Sequence, residues 1–232
     1  MKRLLLASMV AVGALASAPA AAAPAKKAAV ARDWTRTVVA TAQGGFRMGN
    51  PAAGVKLVEY GSLTCSHCAD FSRTGMAPLS ALVRSGKVSF EFRNYVLNGV
   101  DLAASLVARC GGPAKFFPLV GKMYAGQKQW TDKISDVFEA QADQLKTMSL
   151  AQQLERFADV GGLAQLAAAH GVTPQQTKKC LADQASVQRL ADMHEAAAKL
   201  GIEGTPTFSI NGSIVHAHDW AELAPLIRKA GG

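Results

Sequence analysis

The feature that most constrains this chain is the tetrapeptide Cys65-Ser66-His67-Cys68. It follows directly on the strand-like run Val55 to Tyr60 and is answered far downstream by Gly204-Thr205-Pro206-Thr207-Phe208. Two cysteines separated by two residues can close a disulfide across the first turn of a helix, where unpaired backbone N–H groups and the helix dipole stabilise a thiolate. The motif therefore asks for a strand that runs straight into a helix start. It reads as a dithiol redox pair, with Cys65 as nucleophile and Cys68, one turn inward, as the resolving thiol. His67 can favour the Cys65 thiolate by its charge when protonated or by a hydrogen bond. The plain alternatives are a structural disulfide and a solvated histidine at a helix start.

Residues 1–22 have the three parts of a secretory signal: a basic start at Lys2 and Arg3, an apolar stretch from Leu4 to Ala16, and a small-residue end at Ala20-Ala21-Ala22. Such a segment is removed, here by a cut after Ala20 or Ala22. Its apolar stretch falls short of the roughly 20 residues that span a bilayer, so the mature protein is expected to be exported and soluble. Residues 23–32 read as a short tether. Losing Lys2 and Arg3 takes the formal charge from +8 to +6. The remaining charges are scattered, with no Lys/Arg run interleaved with aromatics, which argues against nucleic acid as a partner.

Four cysteines in an exported chain point to an oxidising compartment. With Cys65 and Cys68 paired, Cys110 and Cys180 are left in helical segments 70 positions apart. They form a structural disulfide or stay as two separate buried thiols.

Periodicity supplies the frame. Trp34 to Thr41 reads as a first strand, Val55 onward as a second, and Val88 to Val96, alternating Val88, Phe90 and Phe92, as a third. Apolar spacing predicts a helix over 69–83, kinked at Gly75 and Pro78. Residues 99–200 are Ala/Leu/Gln-rich and helical, with one start marked by Thr173-Pro174-Gln175-Gln176. Strand character returns at Thr207 to Ile210, then Asn211-Gly212 signals a hairpin, and Asp219 can cap a last helix. The expected class is α/β: a sheet domain made of residues 33–98 and 201–230, interrupted by an inserted helical domain over 99–200. Within the insertion, Phe116, Phe117, Leu119, Val120 and Tyr124 are core, or else part of a substrate groove. His216 and His218 have the spacing of one strand face, a polar edge rather than a metal site.

With the dithiol after its strand, the helical insertion and the Gly204 to Phe208 loop in that order, the chain resembles the DsbA family of thiol:disulfide oxidoreductases. The resemblance implies a thioredoxin-like fold with an inserted helical domain. It implies that Pro206 is cis and lies beside the dithiol, with Thr205 and Pro206 binding an extended substrate; an ordinary turn is the alternative. Glu59, six residues before Cys65, would be the buried acid that helps to move the Cys68 proton, rather than an outward-facing glutamate. The implied activity is a dithiol oxidase for reduced exported proteins in the periplasm. It needs no cofactor beyond the Cys65–Cys68 disulfide, and a DsbB-type, quinone-linked membrane partner regenerates it. One departure is plain: the best-known members have Pro-His between the cysteines, whereas Ser66 here restores a backbone donor and adds a hydroxyl, so their potential is not inherited. The rival expectations are an isomerase or reductase kept reduced and, from another class, a copper-binding module using the cysteines and a histidine.

Overall fold

The computed structural model describes residues 32–232; the expected signal segment, and all of the tether but Arg32, lie outside them. A short 3-10 turn at Trp34–Arg36 leads into strands β1 (Val38–Ala40), β2 (Phe46–Gly49) and β3 (Val55–Gly61). Then come α1 (Ser66–Ser85) and β4 (Val88–Asn94), followed by α2 (Gly99–Cys110), α3 (Pro113–Ala125), α4 (Gln127–Thr147), α5 (Leu150–Val160), α6 (Leu163–Ala169), α7 (Pro174–Leu181) and α8 (Gln184–Lys199). The chain closes with β5 (Thr207–Ile210), β6 (Ser213–Val215) and α9 (Trp220–Lys229). The fold is α/β, thioredoxin-like with a helical insertion.

The six strands form one sheet in the order β1-β2-β4-β3-β5-β6. Strand β3 lies inside it, parallel to β4 and antiparallel to β5. All its residues except Lys56 are buried, as an interior strand covered on both faces requires. On one face Glu59, Phe90, Phe92 and Phe208 meet α1 and α3. Phe71 of α1 stacks on Phe208 at 4.7 Å, and Phe116 of α3 reaches Phe46 at 4.4 Å. On the other face Val58, Tyr60, Tyr95 and Ile202 pack on Ala197 of α8. The first face and the helices α2 to α7 share a continuous apolar core. The insertion is thereby bonded to the sheet through buried aromatic surface, each such side chain contributing roughly 2 to 3 kcal/mol.

Local rules account for most boundaries. Thr173 and Gln176 form a capping box ahead of α7 with Pro174 at its first position. Asp219 caps α9. Asn211 and Gly212 both have positive φ, as the two-residue hairpin between β5 and β6 demands. Two expectations are corrected, one on the segment 34–41 and one on His216 and His218. The segment 34–41 divides into a 3-10 turn and the short β1, and a further strand, β2, pairs with β1 and β4. Its four residues, the last of them Gly49, are too few to show a period. Helix α1 runs as one element through Gly75 and Pro78, Gly75 being buried beneath the Phe71 ring, where a Cβ would come within 2.6 Å. His216 and His218 lie beyond the end of β6 and share no strand face.

Candidate active site

The site sits where β3 hands over to α1. Cys65 is the N-cap of α1, with extended φ and ψ of −80° and 122°, and its Sγ accepts the Cys68 N–H at 3.4 Å. Cys68 lies one turn into the helix and is fully buried, while Cys65 is partly exposed. Thr205-Pro206 is a cis peptide that brings the Thr205 carbonyl to 3.2 Å from Cys65 Sγ, where it accepts the thiol proton.

The two sulfurs are driven apart electrostatically. The Cys65 thiol is held down to about 5. The hydrogen bond from the Cys68 thiol is the chief cause, outweighing burial, and the Thr205 side chain and the N–H groups of Cys68 and His67 add to it. Burial pushes the Cys68 thiol far up, and its bond to Cys65 adds to that. The pair is therefore one exposed thiolate and one buried, protonated thiol. Glu59 is 2% exposed, and its Oε1 has no hydrogen-bond partner among the described residues. Burial, then the nearby Cys65 charge, pushes its carboxyl up to about 8, so it is mostly neutral at pH 7. Its own charge acts on Cys68 in turn. Gly61 makes room for this carboxyl: a Cβ there would lie 2.9 Å from Glu59 Oε1 and 2.6 Å from the Phe92 ring.

The loop from Ser62 to Cys65 is gripped from the insertion. Asp101 of α2, fully buried, accepts the Leu63 N–H on Oδ1 and the Leu97 N–H on Oδ2, both at 2.9 Å. Tyr124 at the end of α3 donates its hydroxyl to the Ser62 carbonyl at 3.1 Å. Gln127, which opens α4, donates from Nε2 to the Leu63 and Cys65 carbonyls at 2.8 and 2.9 Å. These bonds fix the entry to α1, and with it the direction of Cys65. Sequence reasoning missed Asp101 and Gln127 and met Tyr124 only as an apolar position. The available signal was Asn98-x-x-Asp101, a helix-start pattern, and Asn98 does cap α2 by accepting the Asp101 N–H; nothing local says that the Asp101 carboxylate reaches back across 38 residues to Leu63.

Cys65, Cys68, Glu59, Thr205 and Pro206 are thus gathered together. His67 stands at the helix start, but its ring is exposed and makes no hydrogen bond to a described residue; its N–H is what reaches Cys65. The ring instead lines an open cleft of about 470 Å³ beside the dithiol, with Thr74, His218 and Trp220. Cys110 at the end of α2 and Cys180 in α7 are joined by a disulfide with a Cα–Cα distance of 5.8 Å, away from the dithiol. Phe116, Leu119, Val120 and Tyr124 are core, and half-buried Phe117 lines a cavity. Among the described residues no group of three His, Cys, Asp or Glu side chains is arranged to hold a metal ion.

Residues 41–229 match the thioredoxin family. The chain belongs to that family. Within it, the chain is similar to the protein-disulfide isomerase of Novosphingobium aromaticivorans, at 30% identity and a TM-score of 0.74, covering 80% of this chain and 97% of that one. The fold is also that of Wolbachia pipientis alpha-DsbA1, with a TM-score of 0.63 at 21% identity, covering 80% of this chain and 90% of that one. A Rickettsia bellii protein provisionally named a protein-disulfide oxidoreductase is 28% identical over 79% of this chain. That match spans only 63% of the Rickettsia protein's own length.

Proposed function

We propose that this family member is an exported thiol:disulfide oxidoreductase acting as a dithiol oxidase through Cys65 and Cys68. The observation that carries the reading is the asymmetry of the two thiols: Cys65 is stabilised as a thiolate and Cys68 as a thiol. A stabilised Cys65 thiolate lowers the energy of the reduced form, so the disulfide is driven to oxidise other thiols. In the oxidised protein a substrate thiolate attacks Cys65 Sγ and the Cys65–Cys68 bond breaks. The leaving Cys68 sulfur takes the proton that neutral Glu59 holds. A second substrate thiolate then attacks the substrate sulfur of the mixed disulfide, Cys65 departs as its stable thiolate, and two electrons have passed from substrate to protein. Thr205 and Pro206 flank the attacked sulfur, and the cleft lined by His67, His218 and Trp220 offers room for the substrate chain.

No bound cofactor is required by this cycle. The resemblance to DsbA proteins supports export to the periplasm, reduced exported proteins as substrates, and reoxidation by a DsbB-type, quinone-linked membrane protein. No helix among the described residues is long and apolar enough to cross a membrane. Equilibration with glutathione tests the direction. A potential on the oxidising side of about −200 mV supports the oxidase, and one near about −270 mV makes the protein a reductase. A second reading, a disulfide isomerase, draws on the name of the Novosphingobium relative. Trapping the thiols in cells separates the two, since an oxidase rests with Cys65 and Cys68 joined and an isomerase rests with them free.

A further inference from the structure

Asp101 lies in the first turn of α2 and is fully buried, yet none of the ion pairs among the described residues includes it. A carboxylate so placed is costly unless donors surround it. Its closest donors come from two loops: the Leu63 N–H on Oδ1 and the Leu97 N–H on Oδ2, each at 2.9 Å, with the Ser105 hydroxyl more distant at 3.4 Å. Asn98 ties the second loop to the first by donating to Thr64 Oγ1 at 3.3 Å. The bond to Leu63 grips one peptide unit by its N–H. The same unit is held at its other end, because the Ser62 carbonyl accepts the Tyr124 hydroxyl at 3.1 Å and the Cys65 N–H at 3.2 Å. A peptide unit is planar, so holding its N–H sets the direction of its carbonyl. That carbonyl in turn holds the backbone of Cys65, whose extended φ and ψ put Sγ 3.4 Å from the Cys68 nitrogen.

We propose that Asp101 is a positioning residue that sets the reduction potential of the dithiol: through the Ser62–Leu63 peptide it keeps Cys65 where the first N–H groups of α1 stabilise its thiolate. The effect falls on one redox state. In the oxidised protein the Cys65–Cys68 bond keeps the Cys65 sulfur at the first turn of α1 whether or not the loop is held. In the reduced protein only hydrogen bonds do so, and those made to a carboxylate are stronger than neutral ones. Losing Asp101 therefore costs the reduced form more than the oxidised form and lowers the potential. The inference rests on the exchange chemistry proposed above only in that Cys65 and Cys68 pass between disulfide and dithiol, and it holds for an oxidase and an isomerase alike.

The test equilibrates the whole protein with reduced and oxidised glutathione at neutral pH, exchanging the protein disulfide and two glutathione thiols for the dithiol and one glutathione disulfide. The Cys110–Cys180 bridge is kept, and the state of Cys65 and Cys68 is read by peptide mapping after acid quench. Asp101→Ala should shift the equilibrium constant about tenfold towards the protein disulfide, equivalent to about 30 mV. Asp101→Asn has the shape of the carboxylate but turns an amide donor onto one of the two N–H groups, and should shift the constant the same way by a smaller factor. A residue that only supports the fold destabilises both redox states equally and leaves the constant in place. A shift below about threefold in the folded Asp101→Ala protein, or a shift towards the dithiol in either variant, overturns the proposal. Should Asp101→Ala fail to fold, the reduced parent decides: the Leu63 amide proton should exchange only on global unfolding, and exchange through local opening overturns the proposal. A parent that does not equilibrate with glutathione overturns the exchange chemistry and this inference together, whereas a parent that equilibrates beside an unmoved variant removes Asp101 alone.

Discussion

One sulfur should make a contribution to the stability of the reduced protein that climbs with pH. Cys65 is lowered from 9.0 to about 5 in the folded state, so between those values the unfolded chain binds more protons than the folded one. The Cys65 contribution then rises with pH across that window, is complete above the unfolded value, and is lost as pH falls through about 5. At about pH 7 the two pH units above the folded value are worth about 2.7 kcal/mol. Solvent screening at this partly exposed thiol reduces that to about 1.5 kcal/mol, equivalent to roughly 30 mV of reduction potential for the two-electron couple. The perturbation is Cys65→Ser, and the quantity is the difference in unfolding free energy between the reduced parent and the variant at a series of pH values. Both proteins should carry Cys110→Ala and Cys180→Ala, so that the reductant acts only on the dithiol. Glu59, raised from 4.5 to about 8, has the opposite slope. Its main cause is burial rather than the Cys65 charge, so most of that slope is common to both proteins and cancels. The difference should grow by about 1.5 kcal/mol between about pH 4 and pH 7. A difference that stays flat across that interval would refute the stabilised thiolate and, with it, the oxidase reading.

Replacing Glu59 by Gln should slow formation of the mixed disulfide, the step in which the Cys68 sulfur leaves and takes a proton, by about 10² and flatten its pH profile near 8, while alkylation of Cys65 in the reduced protein stays fast; unchanged kinetics of that step would remove Glu59 from the proton path. Gln127→Ala leaves the Leu63 and Cys65 carbonyls without their donor, and should cost about 1 to 3 kcal/mol in denaturant unfolding; a loss under about 0.5 kcal/mol would mean that Gln127 does not help to hold the loop. Cutting the Cys110–Cys180 bridge with a double alanine variant should lower stability by about 4 kcal/mol, as expected for a loop closed across 70 residues, and leave the Cys65 alkylation rate unchanged. Gly61→Ala should destabilise by about 1 to 3 kcal/mol by pressing on the Phe92 ring, and thermal unfolding reads this directly.

Much of this molecule is decided locally, and so is legible in the amino-acid sequence alone. The Cys65 to Cys68 motif sets both cysteines on the first turn of a helix because a helix start is the one place where free N–H groups accumulate. Thr173 with Gln176, Asp219, and Asn211-Gly212 each settle a boundary through bonds or dihedrals within four residues. What tertiary structure alone decided is everything that depends on residues far apart in the chain. Strand β2 exists because β1 and β4 flank it, not because of its own four residues. The His67 ring faces solvent, so its backbone rather than its imidazole acts on Cys65. Asp101, Tyr124 and Gln127 reach the dithiol loop across 38 to 64 residues, and no window of sequence contains both ends of those bonds. The same holds for the Glu59 carboxyl: its place in an apolar strand suggests an inward acid, but only packing against Phe92 and a side-chain-free Gly61 decides that it stays buried and mostly neutral at pH 7.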